Sequence, residues 1–145
     1  MREAELDAAA VALERTMSWL RRAVRPTEWS AVALSTLDAL DREGPLRVTD
    51  LVARERITQP GMTGLVGRLA DAGLVERNAD PSDGRVTLVA ITPAGRDYLR
   101  SIREQRAALV AAHLRALTPE EQQLLVNACR ALQALSARPL HPEEV

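Results

Sequence analysis

The chain has 145 residues, 46% of them hydrophobic and 27% charged, a size that suits one domain with helical extensions and excludes a multidomain enzyme. Its single cysteine, Cys129, excludes an intrachain disulfide, and with only His113 and His141 beside it there is no ligand set for a structural zinc, so no cofactor is expected. Net charge is −1, and three aromatic residues, Trp19, Trp29 and Tyr98, are too few for a platform on which single-stranded bases could stack.

Leu6, Ala10, Leu13, Met17, Leu20 and Val24 recur at intervals of four and three, which predicts a long helix over about 4–24 with one apolar stripe. Pro26 stops it. Thr27 precedes a second helix of about 28–41, with Trp29, Val32, Ala33, Leu37 and Leu40 inward, closed by Gly44-Pro45. A two-turn helix is expected from Val48 to about Arg54, then a tight connection through Glu55-Arg56-Ile57. Thr58 is placed to cap the next helix, where Pro60 costs nothing because first-turn amides have no intrahelical partner. Met62, Leu65, Val66 and Leu69 form its inner face, so Pro60, Gly61, Gly64, Gly67, Arg68 and Asp71 tend outward, and Gly73 ends it as a left-handed cap.

Leu74-Val75 and the run from Val86 to Ile91 have the β-branched content of strands, and the turn formers from Asn78 to Arg85 between them predict a hairpin with a long tip. Thr92-Pro93 opens a third long helix to about Leu117. Thr118-Pro119-Glu120-Glu121 is a cap, a first-turn proline and an acidic first turn for a fourth, whose stripe is Leu125, Ala128, Leu132 and Leu135. The tail from Arg138 to Val145 is expected to fray.

All 19 basic residues are arginine, which suits phosphate and guanine recognition, although a G+C-rich genome is the better explanation of the bias. Their distribution is uneven: residues 47–106 hold 10 Arg and 8 acids (net +2), while the segments before and after are net negative. An anion-binding surface therefore belongs in the middle of the chain. The longest apolar run, Ala8–Leu13, is far short of a membrane span, and acids occupy the N-terminus where a signal peptide carries cations, so a cytoplasmic, nucleoid-associated protein without membrane contact is expected. No paired-carboxylate, Ser-His or metal constellation supports catalysis, and nothing near His113 or Cys129 would orient a base. Cys129, beside the last stripe, is read as an inert small hydrophobe.

Two short helices joined by a tight turn and followed by a hairpin make a winged helix-turn-helix: mainly α with a small β-hairpin wing (α+β). Arg85, in a polar loop with no core role, suits the narrow minor groove, which attracts guanidinium groups. A helical dimer using its winged helix for protein contacts is the competing reading, separated from the first by salt-dependent binding to duplex DNA. Asp80-Pro81, Asp83-Gly84-Arg85 and Ile91-Thr92, together with Thr58-Gln59-Pro60, Thr63, Arg68-Leu69 and Gly73-Leu74-Val75-Glu76-Arg77, resemble the wing and recognition-helix patterns of the multiple antibiotic resistance regulator (MarR) family of bacterial transcription factors.

The resemblance implies a single chain in which residues 30–92 form the DNA-binding lobe and residues 1–25 and 93–138 a helical dimerisation region. It implies a homodimer reading an inverted repeat in double-stranded DNA, with contacts from Gln59, Pro60, Thr63 and Arg85 and a positioning ion pair between Arg68 and Asp83. Thr58 belongs to the same surface as the cap of the recognition helix, and Gly61 and Gly64 suggest close backbone approach to DNA. The family often has a glycine where this chain has Arg56, and larger side chains where it has Gly61, Gly64 and Gly67. A crevice where the long helices meet the lobe, with Trp19, Arg22 and Trp29 as candidate walls, would suit a small aromatic or lipophilic anion that controls a repressor.

Overall fold

In the computed structural model, which describes residues 2–138, the apolar stripes read from the sequence set the architecture. The elements run α1 (Arg2–Ala23), α2 (Ala31–Glu43), β1 (Leu46–Arg47), α3 (Val48–Glu55), α4 (Gln59–Asp71), β2 (Val75–Asp80), β3 (Asp83–Ile91), α5 (Pro93–Leu114) and α6 (Pro119–Ser136). The chain divides into two compact units, Met1–Arg106 and Ala107–Val145. In the first, Leu37 and Leu40 of α2, Leu51 of α3, Met62, Val66 and Leu69 of α4 and Val89 of β3 are fully buried in one aliphatic core. All four predicted inward residues of α4 are buried, so its outward face is free for other work.

Several boundaries differ from the sequence reading. The second helix begins at Ala31, because Ser30 rather than Thr27 caps it: Ser30 Oγ accepts from Ala33 N at 3.2 Å, whereas Thr27 Oγ1 donates to the Trp29 carbonyl at 2.6 Å. A hydroxyl immediately before the first turn wins over one three residues earlier. The short strand β1 was not predicted, since two residues carry no periodicity; it exists only by pairing with β3. The sheet order is β1-β3-β2, all antiparallel. The hairpin tip is much shorter than expected: Asn78 and Ala79 pair with Leu88 and Thr87, leaving Pro81-Ser82 as the turn, with a register shift at Ala79/Asp80. Ladder hydrogen bonds override the weak strand propensity of Asn and Asp there. The third long helix stops at Leu114, before the expected Leu117. In the second unit Cys129 is exposed, its thiol donating to the Leu125 carbonyl. His141 and the tail expected to fray, beyond Arg138, lie outside the described residues.

The α3–α4 turn places Arg56 at φ 51°, a left-handed conformation that a side chain disfavours by about 1–2 kcal/mol. Gly73, at φ 75°, ends α4 as predicted, with Leu74 N donating to the Leu69 carbonyl at 2.9 Å. There the chain ties itself together. Thr92 N donates to the Leu74 carbonyl (3.0 Å), Thr92 Oγ1 donates to the Gly73 carbonyl (2.6 Å) and accepts from Gly95 N (3.0 Å). One threonine thus closes α4, anchors the wing and caps α5.

Gly95 is buried in that junction, and a Cβ built on it would stand 2.1 Å from the Leu74 carbonyl oxygen and 2.8 Å from Ile91 Cγ1. Backbone cannot yield as a flexible side chain does. Gly95→Ala is expected to destabilise the protein by about 1–3 kcal/mol or more, the usual cost of overpacking, despite the better helix propensity of alanine. Urea denaturation measures it; a midpoint at or above the parent's would show that the junction relaxes without cost.

Candidate nucleic-acid interface

The interface is assembled from α4 and the wing. Thr58 caps α4 through Oγ1, which accepts from Gly61 N at 3.2 Å, and Pro60 sits in the first turn, where its missing donor is not needed. With Met62, Leu65, Val66 and Leu69 turned into the core, Gln59, Pro60, Gly61, Thr63, Gly64 and Arg68 are all exposed. A Cβ on Gly64 would meet only Arg68 Nη1, at 3.6 Å, and one on Gly67 would meet nothing, whereas at Gly61 it would press on the cap hydroxyl at 3.0 Å. The exposed side of α4 is therefore a low ridge of backbone flanked by Gln59, Thr63 and Arg68.

On the wing, the Arg85 side chain is 92% exposed, so nothing in the fold requires it. Asp83 Oδ1 accepts from Arg85 N at 3.1 Å and from Arg85 Nε at 3.2 Å, aiming the guanidinium from the strand that carries it. The expected ion pair between Arg68 and Asp83 is not formed, and among the described residues no carboxylate pairs with Arg68. Asp83 reaches a partner two residues on without ordering a second element, which costs less entropy. A cleft of about 270 Å³ separates α4 from the wing, and Gln59, Thr63 and Arg85 line it together, as do Thr49 and Arg77, which sequence reasoning did not single out as site residues.

Asp80 holds the wing tip. Its buried carboxylate accepts from Ser82 Oγ (2.7 Å), Ser82 N (2.9 Å) and the Arg47 guanidinium (2.8 and 2.9 Å). The Ser82 hydrogen bonds first, and Arg47 after them, hold this carboxyl below the ordinary aspartate range against the opposing effect of burial. Arg47 was missed in the sequence because its partner lies 33 residues away, across a strand pair that no periodicity announces.

A second concavity, of about 800 Å³, lies within the first unit between the end of α1, the α1–α2 connection, α2 and α5. Of the three wall residues proposed from sequence, Trp29 lines it; Trp19 and Arg22 do not, and Leu20, Arg21, Val24 and Arg25 stand there from the same stretch. A helix of 3.6 residues per turn shows only some of its residues to one cavity, and the apolar stripe alone did not say which edge faced inward. Two buried donors on the wall have no hydrogen-bond partner, Trp29 Nε1 and Arg106 Nε. Arg103 on the same wall is matched already, pairing with Asp38 and, at 3.2 Å, with Asp41, which raises its pKa. Among the described residues no group of His, Cys, Asp and Glu could hold a metal ion, and no helix is long and apolar enough to cross a membrane.

Because the Asp80 carboxyl titrates lower in the folded chain than in the unfolded one, protons bind the unfolded state more tightly, and acid pulls the equilibrium toward it. The stabilisation is complete above the unfolded aspartate pKa of about 3.9 and is lost as pH falls through the lower folded value. Chemical denaturation at stepped pH from neutral into this window should show a steeper acid loss for the parent than for Asp80→Asn. Parallel curves would show that the carboxylate contributes no pH-dependent stability.

Residues 30–86 match the model of the MarR family. Over 131 residues, 90% of each chain, the protein is 33% identical to the uncharacterised HTH-type transcriptional regulator Mb0904 of Mycobacterium bovis. Its fold is similar to that of the transcriptional regulator Tm0710 from Thermotoga maritima (TM-score 0.76, 22% identity, covering 89% of this chain and 94% of that one). It is similar also to that of Bordetella bronchiseptica BpsR, whose DNA binding is regulated by 6-hydroxynicotinic acid (TM-score 0.56, 23% identity, covering 92% and 93%). With α4 and an arginine-bearing wing on one side of a winged helix-turn-helix, and these likenesses in sequence and fold, the chain belongs to the MarR family of DNA-binding transcriptional regulators.

Proposed function

We propose that the protein is a ligand-responsive repressor that binds an inverted-repeat operator as a homodimer. The observation that carries the DNA-contact assignment is that Gln59, Thr63 and Arg85 line one cleft, with Arg85 almost wholly in solvent. In this reading Gln59, Pro60 and Thr63 address base edges in the major groove while Thr58, Gly61 and Gly64 let the helix backbone approach closely. Arg85 enters the flanking minor groove, and Arg68 lies toward the phosphates.

The dimer is supported by what the fold leaves uncovered. On α1 the stripe residues Leu6, Leu13 and Met17 are 70, 36 and 57% exposed, and on α6 Leu125, Leu132 and Leu135 are exposed as well. Stripes of this extent mark an interface, and a two-fold dimer presents its two recognition helices to half-sites about one helical turn apart. Sedimentation should give the mass of two chains before DNA is added. On a duplex selected from a random pool, Arg85→Ala should weaken binding by about 1–3 kcal/mol and make log affinity against log salt shallower. Full affinity at moderate salt would remove the wing from the interface.

For control we assign the 800 Å³ crevice to a small aromatic or lipophilic anion. Its walls are apolar at Leu20, Val24, Leu34, Leu99 and Ile102, and a carboxylate would supply the acceptor that Trp29 Nε1 and Arg106 Nε lack, after a small side-chain rotation. Such a ligand releases DNA only by preferring a dimer whose recognition helices are wrongly spaced, and a coupling of about 1–3 kcal/mol weakens DNA binding about 5- to 150-fold. Titration of salicylate against tryptophan fluorescence should then give a weaker affinity in the presence of operator, by the same factor. Equal affinities would rule out control by that compound at this site.

A further inference from the structure

We infer that Arg77, assisted by the Thr49 hydroxyl, grips the DNA backbone phosphate that passes between the recognition helix and the wing, and so sets the spacing of the two reading elements on the duplex. The inference rests on the reading that α4 occupies a major groove and Arg85 the adjacent minor groove. In duplex DNA a major and a minor groove are separated by one sugar-phosphate strand. A protein that reaches into both must straddle that strand, and in this chain the space between the two elements is the 270 Å³ cleft lined by Gln59, Thr63, Arg77 and Arg85.

The wing's own alternation delivers Arg77 there. Directly opposed residues of an antiparallel pair share a face, and the register pairs Val75 with Ile91, Arg77 with Val89 and Ala79 with Thr87. Val75, Ile91 and Val89 are buried in the core. Along this inner face the row therefore changes from aliphatic to polar, through Arg77 and Thr87, at the point where the core ends and the cleft begins. Glu76, the nearest carboxylate in sequence, alternates to the outer face, and among the described residues no carboxylate pairs with Arg77. Arg85 differs, its guanidinium being already held by Asp83 at 3.2 Å.

A permanently charged guanidinium without a carboxylate partner among the described residues, lining a cleft that Thr49 at the start of α3 also lines, is matched by a phosphodiester. Since phosphates carry no base identity, such a grip positions the protein without choosing a sequence. Asparagine, glutamine or serine at this point would keep a hydrogen bond but not the charge.

The test uses the whole protein and two short duplexes, one of arbitrary sequence and one selected from a random pool, each titrated over a range of salt. Arg77→Gln should weaken binding to both duplexes by the same factor, roughly tenfold, and reduce the magnitude of the log–log salt slope by about 0.9 for each phosphate that is no longer neutralised. Arg77→Lys should keep the slope while losing part of the affinity, and the thermal midpoints of both variants should equal the parent's because Arg77 is exposed. A slope unchanged in Arg77→Gln, or a loss confined to the selected duplex, overturns the proposal while leaving DNA binding through α4 and Arg85 intact. Absence of salt-dependent binding by the parent on either duplex overturns the DNA reading itself and this proposal with it. Should Arg77→Gln melt early, Arg77→Lys with Thr49→Val decides instead: a weaker Thr49→Val with an unaltered slope supports the grip, and full affinity in both overturns it.

Discussion

The junction at Thr92 holds the reading elements of this protein in register. Three hydrogen bonds from one residue close the end of α4, fix the base of the wing and start α5, and the bare Cα of Gly95 allows the strand and helix backbones to approach that closely. In the proposed binding mode a recognition helix and a wing that drifted relative to one another could not address two neighbouring grooves together, because the position of one sets where the other meets the duplex. The wing has a second tie farther out, where Asp80 gathers Ser82 and Arg47 and so binds the hairpin tip to the strand beside it.

Charge is partitioned to the same end. A chain of net charge −1 has no global attraction for DNA, and its local one depends on which arginines are left without partners. On α2 and the first half of α5 four of them are paired: Asp38 serves Arg42 and Arg103, Asp41 serves Arg96 and Arg103, and Asp97 serves Arg100. On α4 and the inner face of the wing, Arg68 and Arg77 have no carboxylate partner among the described residues. The acidic side chains of α2 thus serve as counterions to arginines of α2 and α5, whereas Arg68 and Arg77 keep their charge available.

The crevice beside α2 is built from the same helix that supports the reading head. Ser35, on its wall, donates to Glu55 Oε1 at 2.9 Å in the last turn of α3, and Arg54 of that turn pairs with Glu43 at the end of α2 at 2.6 Å. A change at the crevice wall therefore has a short physical route to the turn that precedes α4, through side chains rather than through the core.

Much of this was legible in the sequence, because the strongest local signals are periodic or steric. The 3.6-residue stripe of α4, the cap at Thr58, the left-handed Gly73 and the β-branched run of β3 each follow from constraints on a few neighbouring residues, and each stands where it was predicted. The outward face of α4 and the exposure of Arg85 followed by subtraction. What the sequence could not supply were relations between distant segments. Strand β1, the length of the hairpin ladder, the partner of Asp83, the pairing of Arg47 with Asp80 and the cleft side of Arg77 depend on register and on which neighbour arrives first. Ala79 lies in a strand because Thr87 is opposite it, and Trp29 rather than Trp19 faces the crevice because of how α1 and α2 turn against α5. Local sequence sets propensities worth tenths of a kcal/mol per residue, whereas ladder bonds and burial, available only after the chain has folded, contribute more and decide such cases.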